Sequence, residues 1–292
     1  MGRSDQEERI NRVLYAIHQD ISAPLQARDL ARLAAWSEQH FHRVFVRVVG
    51  EPVHAYIRRT RLEQAANQLM FTPDRAVEDI ALDCGFRSLS SFSRAFRSYF
   101  AISPGRWRKT DRPVVRPWLN DPEIAAGYRR IRHSTLPPAT LVEREPQPLA
   151  YVRHSGYGRS ISNAWLHLKA WANADDRPFA LQIGLHHSNP AWVPLAECRY
   201  VACIGIDRPV LRRAGVSTMT LPGGLHARFR LEGVYGELLP WLTRILEEWL
   251  PRSGLKMATT PAFVEYRKNH FLEPDEKFDA DLFLPVSFAI EC

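Results

Sequence analysis

Arg43 and Arg94 are the side chains whose setting most clearly points to chemistry. Each stands between two phenylalanines in a Phe-x-Arg-x-Phe pattern, at 41–45 and again at 92–96, fifty-one residues apart. Residues four apart share one face of a helix, so each phenylalanine pair is predicted to bury together and leave its arginine turned outward. A guanidinium presented this way can bond bidentately to O6 and N7 of guanine in the major groove. Patterns for covalent or hydrolytic chemistry are missing: the chain has no G-x-S-x-G, no H-E-x-x-H and no P-loop, and Gly156-Tyr157-Gly158 is too short for a dinucleotide fingerprint. His186 and His187 are adjacent, so on a strand they point to opposite faces, and His40 and His42 fall on opposite sides of a helix. Neither pair reads as a metal site. No catalytic residue, cofactor or metal is expected.

The elements that must carry the two arginines repeat with them. Asp29-Leu30-Ala31 leads through a break at Trp36-Ser37 to the first Phe-x-Arg-x-Phe, and Asp79-Ile80-Ala81 leads through Gly85-Phe86-Arg87-Ser88 to the second. Helix, tight turn and helix with an outward arginine is the helix-turn-helix pattern, here present twice. Ser37 is the expected N-cap of the first outward helix. Between the units, Glu51-Pro52 opens a long helix predicted to run through Met70, broken at Thr72-Pro73. At 1.5 Å per residue this is a rod of about 27 Å. That suits two helices held in major grooves one turn of DNA apart.

Composition agrees with this division. The 292 residues exceed one average domain, and 45% hydrophobic with 24% charged residues is the balance of a soluble globular protein. The net charge of +7 is uneven: residues 1–112 hold 18 Lys and Arg against 13 Asp and Glu, the remainder 21 against 19. The basic excess therefore lies with the duplicated helices, where a polyanion is the expected partner. No apolar run is long enough to span a bilayer, the N-terminus lacks an apolar signal core, and the four cysteines follow no paired spacing. A cytoplasmic protein with reduced thiols and no membrane partner is expected.

The first 110 residues resemble the AraC/XylS transcription regulators. The resemblance rests on Gly50, Pro52, Tyr56, Ile57, Arg61 and Leu62, then Asp79-Ile80-Ala81 with Gly85-Phe86, then Phe92-Ser93-Arg94 with Phe96 and Phe100, then Ser103-Pro104 and Trp107-Arg108. It implies that Gln39, His42 and Arg43 on the first outward helix, and Ser90, Ser91 and Arg94 on the second, meet double-stranded promoter DNA. Leu89 stands where relatives often carry a polar residue, so the second helix is expected to meet a thymine methyl or to read little. RNA polymerase is a candidate partner.

Between 113 and 148 many prolines, among them Pro113, Pro137, Pro138 and Pro146, read as a linker and an ordered lead-in. From Leu149 onward a strand, helix, strand, strand order occurs twice, which predicts one α+β domain over 149–292 with a pseudo-twofold axis and a cleft between its halves. The whole is thus expected to be multi-domain, an all-α double helix-turn-helix domain over 1–112 followed by this α+β domain. The second half resembles the GyrI-like effector-binding domain, through Gly223-Gly224, Gly233-x-Tyr235, Trp249-Leu250-Pro251-x-Ser253-Gly254 and Pro261-x-Phe263-x-Glu265-Tyr266. The combined order looks like the Rob-type arrangement. The resemblance implies an amphipathic or cationic small-molecule effector in an aromatic cleft, with Glu265 at its floor and Trp192, Phe229, Tyr235 and Trp241 as wall candidates. The plainer alternative for Glu265 is an edge-strand carboxylate paired with Arg267 or Lys268, and for Trp241 a place in the core. The alternative functions are a GyrI-like small-molecule hydrolase or binding protein, or a protein-interaction module, with a DNA-binding appendage.

Overall fold

The computed structural model describes residues 3–72, 74–109, 117–208, 210, 214–258 and 260–288. Pro73, the linker stretch from 110 to 116 and Cys292 lie outside the described residues. The chain divides into two compact units, Met1–Val114 and Val115–Cys292.

The first unit is built of helices. α1 (Arg3–Gln19) precedes two helix-turn-helix pairs, α2 (Ala27–Leu33) with α3 (Glu38–Val49) and α5 (Val77–Asp83) with α6 (Leu89–Phe100). α4 (Val53–Phe71) joins the pairs, and α7 (Pro104–Arg108) closes the unit. The 19 residues of α4 make a rod of about 28 Å. Phe41 and Phe45 are fully buried and meet edge to face at 5.5 Å, and Phe92 and Phe96 repeat this at 5.4 Å. Burying each ring stabilises the unit by about 1.5–3 kcal/mol. Trp107 of α7 seals the second core, packing on Phe96 and Phe100 while its indole N–H donates to the Ala66 carbonyl of α4 at 3.3 Å.

The two pairs are not strict copies. α2 and α5 repeat at an interval of 50 residues but α3 and α6 at 51, so the second turn holds one extra residue. Both turns pass through the left-handed region, at Ala35 (φ 55°) and Gly85 (φ 78°). Arg61 of α4 ties the loop between α1 and α2 to the turn of the second pair. Its half-buried guanidinium donates to the carbonyls of Ile21 (2.9 Å), Ala23 (2.7 Å) and Gly85 (2.8 Å). A β-carbon at Gly85 would stand 2.7 Å from the guanidinium carbon, so glycine there serves both the φ angle and the arginine.

The second unit is a nine-stranded antiparallel sheet with helices. Its main order is β1-β6-β9-β8-β3-β4-β2-β5, with β7 (Leu255–Met257) paired to β9 (Lys277–Phe288). The expected duplication is present. One half is β2 (Gln147–Ser155), α9 (Ile161–Ala174), β3 (Gln182–His186) and β4 (Arg199–Gly205). The other is β6 (Gly224–Val234), α10 (Leu238–Arg244), β8 (Ala262–Lys268) and β9. The halves join where β3 pairs with β8, and each gains an outer strand, β5 (Ser217–Leu221) beside β2 and β1 (Ala139–Arg144) beside β6.

The second unit also takes in the described part of the stretch expected as lead-in. β1 belongs to the sheet, a boundary at 148/149 would cut β2, and α8 (Pro122–Ile131) packs on the second half. α8 is started by the Asp121 side chain, which accepts from the N–H groups of Glu123 and Ile124, and by Pro122 in its first turn. Gly127 of α8 lies so near the 233–237 turn that a β-carbon there would fall 2.1 Å from the Gly236 carbonyl oxygen. Buried Arg244 closes the helix by donating to the carbonyls of Ile131 (2.7 Å) and Ser134 (2.8 Å). After α10 the backbone widens into one π turn (Ile245–Trp249).

α9 and α10 lie against one face of the sheet, where the Trp165 N–H donates to the Tyr200 hydroxyl at 3.2 Å and Phe229 meets Trp249 at 4.9 Å. The other face holds a second apolar cluster with Tyr151, Leu185, Phe263 and Phe283. This face coils inward. Arg144 on edge strand β1 reaches Glu265 on β8 although β6 and β9 lie between. Three strand spacings are about 14 Å, farther than an arginine side chain reaches across a flat sheet.

Candidate nucleic-acid interface and effector face

α3 and α6 present their outer faces through matched caps. The Ser37 side chain accepts from the His40 N–H, and Ser88 accepts from the Ser91 N–H. With the phenylalanines buried, Gln39 and Arg43 on α3 and Ser90 and Arg94 on α6 are exposed, at one-turn spacing on each helix. Neither arginine pairs with a carboxylate among the described residues. Each keeps its full hydrogen-bonding fork for an external acceptor.

The remaining side chains expected at DNA divide. His42 is partly covered and lies 3.8 Å from the Glu38 carboxylate one turn earlier. The Ser91 hydroxyl donates to the Ser88 carbonyl at 2.9 Å and so works in the cap. Two residues that sequence reasoning did not single out extend the outward stripes, Val46 (41% exposed) after Arg43 and exposed Arg97 after Arg94. The signal was available, since both stand three residues beyond a named arginine. Leu89 is 37% exposed at the start of α6, presenting apolar surface at the position noted as unusual.

In the second unit the expected cleft residues are not brought together. Glu265 lies on a central strand, not an edge, and its partner is neither Arg267 nor Lys268. Arg144 Nη1 donates to its Oε2 at 2.9 Å. Arg267 is taken by Asp281 (2.8 and 3.2 Å) and Asp279 (2.8 Å), and Lys268 by Asp275. Strand alternation holds: Phe263 shares the face of Glu265, while Val264 and Tyr266 take the other.

Phe229 is fully buried on that other face, because its cross-strand partner Leu282 is also the partner of Val264. Trp241 is 9% exposed on α10, the core position weighed for it. Tyr235 follows β6, with its ring against His270 and Phe271 and the Arg159 guanidinium 4.4 Å above it. Burial pushes its phenol up to about 12. Trp192 is half-buried in the loop between β3 and β4. Glu265 therefore keeps Phe263 and Phe283 as aromatic neighbours and is separated by the sheet from Phe229 and Trp241. Phe263 was legible from alternation. Arg144 was not, because only the coiling of the sheet brings it near.

Comparison with known proteins agrees with both halves. Residues 30–110 match the helix-turn-helix domain family and residues 138–287 the family described as a GyrI-like small molecule binding domain. The Right origin-binding protein of Escherichia coli (strain K12) is 34% identical over 289 residues, which cover 88% of this chain and 95% of that protein. The HTH-type transcriptional activator AarP of Providencia stuartii is 35% identical over 116 residues, 40% of this chain and 85% of AarP. A solved AraC-type transcriptional regulator from Chromobacterium violaceum, 27% identical, covers 36% of this chain and 94% of its own, with a TM-score of 0.34. A relative alike along most of both chains and a domain family matched over more than half of this one settle the class: the chain belongs to the AraC-type helix-turn-helix regulators that carry a C-terminal GyrI-like domain.

Proposed function

We propose that the chain regulates transcription in the cytoplasm by reading promoter DNA with α3 and α6, and that its second unit modulates this by binding a small-molecule effector. The second unit acts in this reading by binding and not by catalysis, in keeping with relatives named as transcriptional regulators. The observation that carries the DNA reading is the duplication of an exposed, carboxylate-free arginine on a capped helix, Arg43 and Arg94. Gln39 and Ser90 share those surfaces and are assigned base or phosphate contacts. Ser91 is partly taken by the cap of α6 and His42 lies beside Glu38 on α3, so both are assigned weaker contacts. RNA polymerase is a further partner of such a regulator.

For the effector we assign the Glu265 face, where a partly covered carboxylate adjoins Phe263 and Phe283 and suits an amphipathic cation. The DNA reading is tested by selecting an operator from random duplexes with the full chain, then measuring Arg43→Ala and Arg94→Ala on it. Each is expected to lose about 1–3 kcal/mol of specific binding, with the affected bases about 10 bp apart. Unchanged affinity in both variants would remove the tandem reading.

A further inference from the structure

The face that holds Glu265 already contains a cation. Phe263 of β8 and Phe283 of β9 are cross-strand partners, and their rings stack at 4.8 Å with 14° between planes. The guanidinium carbon of Arg144 stands 4.4 Å from the centre of Phe283 and 5.4 Å from that of Phe263. Its Nη1 donates to Glu265 at 2.9 Å. His226 adjoins the pair, its ring 5.3 Å from Phe263 and 6.2 Å from Phe283.

A flat ring pair with a carboxylate beside it is the surrounding that a planar, delocalised cation prefers, through stacking on the rings and a charge-assisted hydrogen bond. The other acidic groups of this face are already served from nearby strands. Arg267 holds Asp281 and Asp279, and Arg230 holds Asp279 at 2.7 Å. Glu265 instead draws its partner from the end of edge strand β1, which among the described residues pairs along one side, with β6.

We infer that Arg144 is the resident occupant of a cation subsite formed by Glu265, Phe263 and Phe283, and that it sets the selectivity of this face. An incoming ligand gains the subsite by replacing the guanidinium. Neutral and anionic ligands lack the charge to hold Glu265 once Arg144 leaves, and a flat organic cation supplies both the charge and the stack. This selectivity rests on the effector reading of the same face, and the experiment separates the two.

The test uses the full chain and N-methylacridinium, a planar organic monocation, followed by fluorescence anisotropy, with neutral acridine at pH 8 as the control. Four proteins are compared: the parent, Arg144→Ala, Glu265→Gln and the double variant. Arg144→Gln, which keeps most of the side-chain bulk, repeats the measurement should Arg144→Ala fail to fold. Removing the competing guanidinium is expected to tighten N-methylacridinium by about ten-fold, leave acridine unchanged, and lose the gain in the double variant. If the parent binds the cation and neither Arg144 variant binds it more tightly, the inference falls while the effector reading stands. Weaker binding by the Arg144 variants would make the arginine a ligand contact and also overturn it. If no variant binds the cation, both readings of this face fail together.

Discussion

Arg61 is the side chain on which the geometry of the tandem reader should depend most, although it faces no DNA in this reading. It donates to three carbonyls that lie on either side of α4, Ile21 and Ala23 after α1 and Gly85 in the second helix-turn-helix turn. A hydrogen bond from a charged donor contributes about 1.5–3 kcal/mol when buried. The guanidinium is half-buried, so water can replace part of each bond. Halving the sum for that screening leaves about 2–4 kcal/mol for Arg61→Ala. Arg61→Lys is the sharper variant. It keeps the charge, but one ammonium cannot span carbonyls from two separate loops, so about 1–2 kcal/mol of the loss should remain. The assay is urea unfolding of the full chain followed at 222 nm, where the helical unit dominates, with hydrogen exchange read at residues 21–25 and 85. If both variants unfold within about 0.5 kcal/mol of the parent, and the amides near Gly85 keep their protection, Arg61 does not hold the α1–α2 loop to the second turn and the reasoning is wrong.

Two further expectations follow from local geometry. Ala101 ends α6 at φ 59° where Gly50 ends α3 at φ 89°, so Ala101→Gly should raise the stability of the first unit by about 0.5–1 kcal/mol, and Gly50→Ala should lower it by a similar amount, in the same urea assay. Burial holds His186 down at about 4 and His270 at about 3, both below the ordinary imidazole value of about 6.5. Because the folded-state values are lowered, the unfolded chain binds protons more readily. Stability is therefore present above about pH 6.5 and falls on acidification toward about pH 4, by up to about 1.4 kcal/mol per pH unit for each histidine. Replacing His270 by Asn should reduce that slope, measured as the urea midpoint of the second unit from pH 7.5 to 4.5; an unchanged slope would place the titration elsewhere.

Much of the first unit was decided by local sequence. The interval of Phe41 and Phe45, repeated in Phe92 and Phe96, sets which side of each helix is buried whatever surrounds it, and the serine caps and Gly50 act within a few residues of themselves. The outward positions of Arg43 and Arg94 follow directly. The role of Arg61 did not, because its acceptors are 24 to 40 residues away along the chain. In the second unit the period-two alternation of 263–267 and the duplicated order of strands and helices were likewise legible, since alternation needs only the strand itself. Three things were left to the tertiary structure. β1 and β5 lie outermost beside β6 and β2 and bury few of their side chains, so their composition carried little signal. The face assigned to Phe229 depends on its register against Leu282, which no single strand encodes. The partner of Glu265 depends on the coiling of a nine-stranded sheet, which carries Arg144 across two intervening strands and onto the Phe263–Phe283 stack. Spacing within an element is a property of the covalent chain, whereas register and coil arise from pairings between strands far apart in it, and that difference decided which parts of the site could be read before the fold was known.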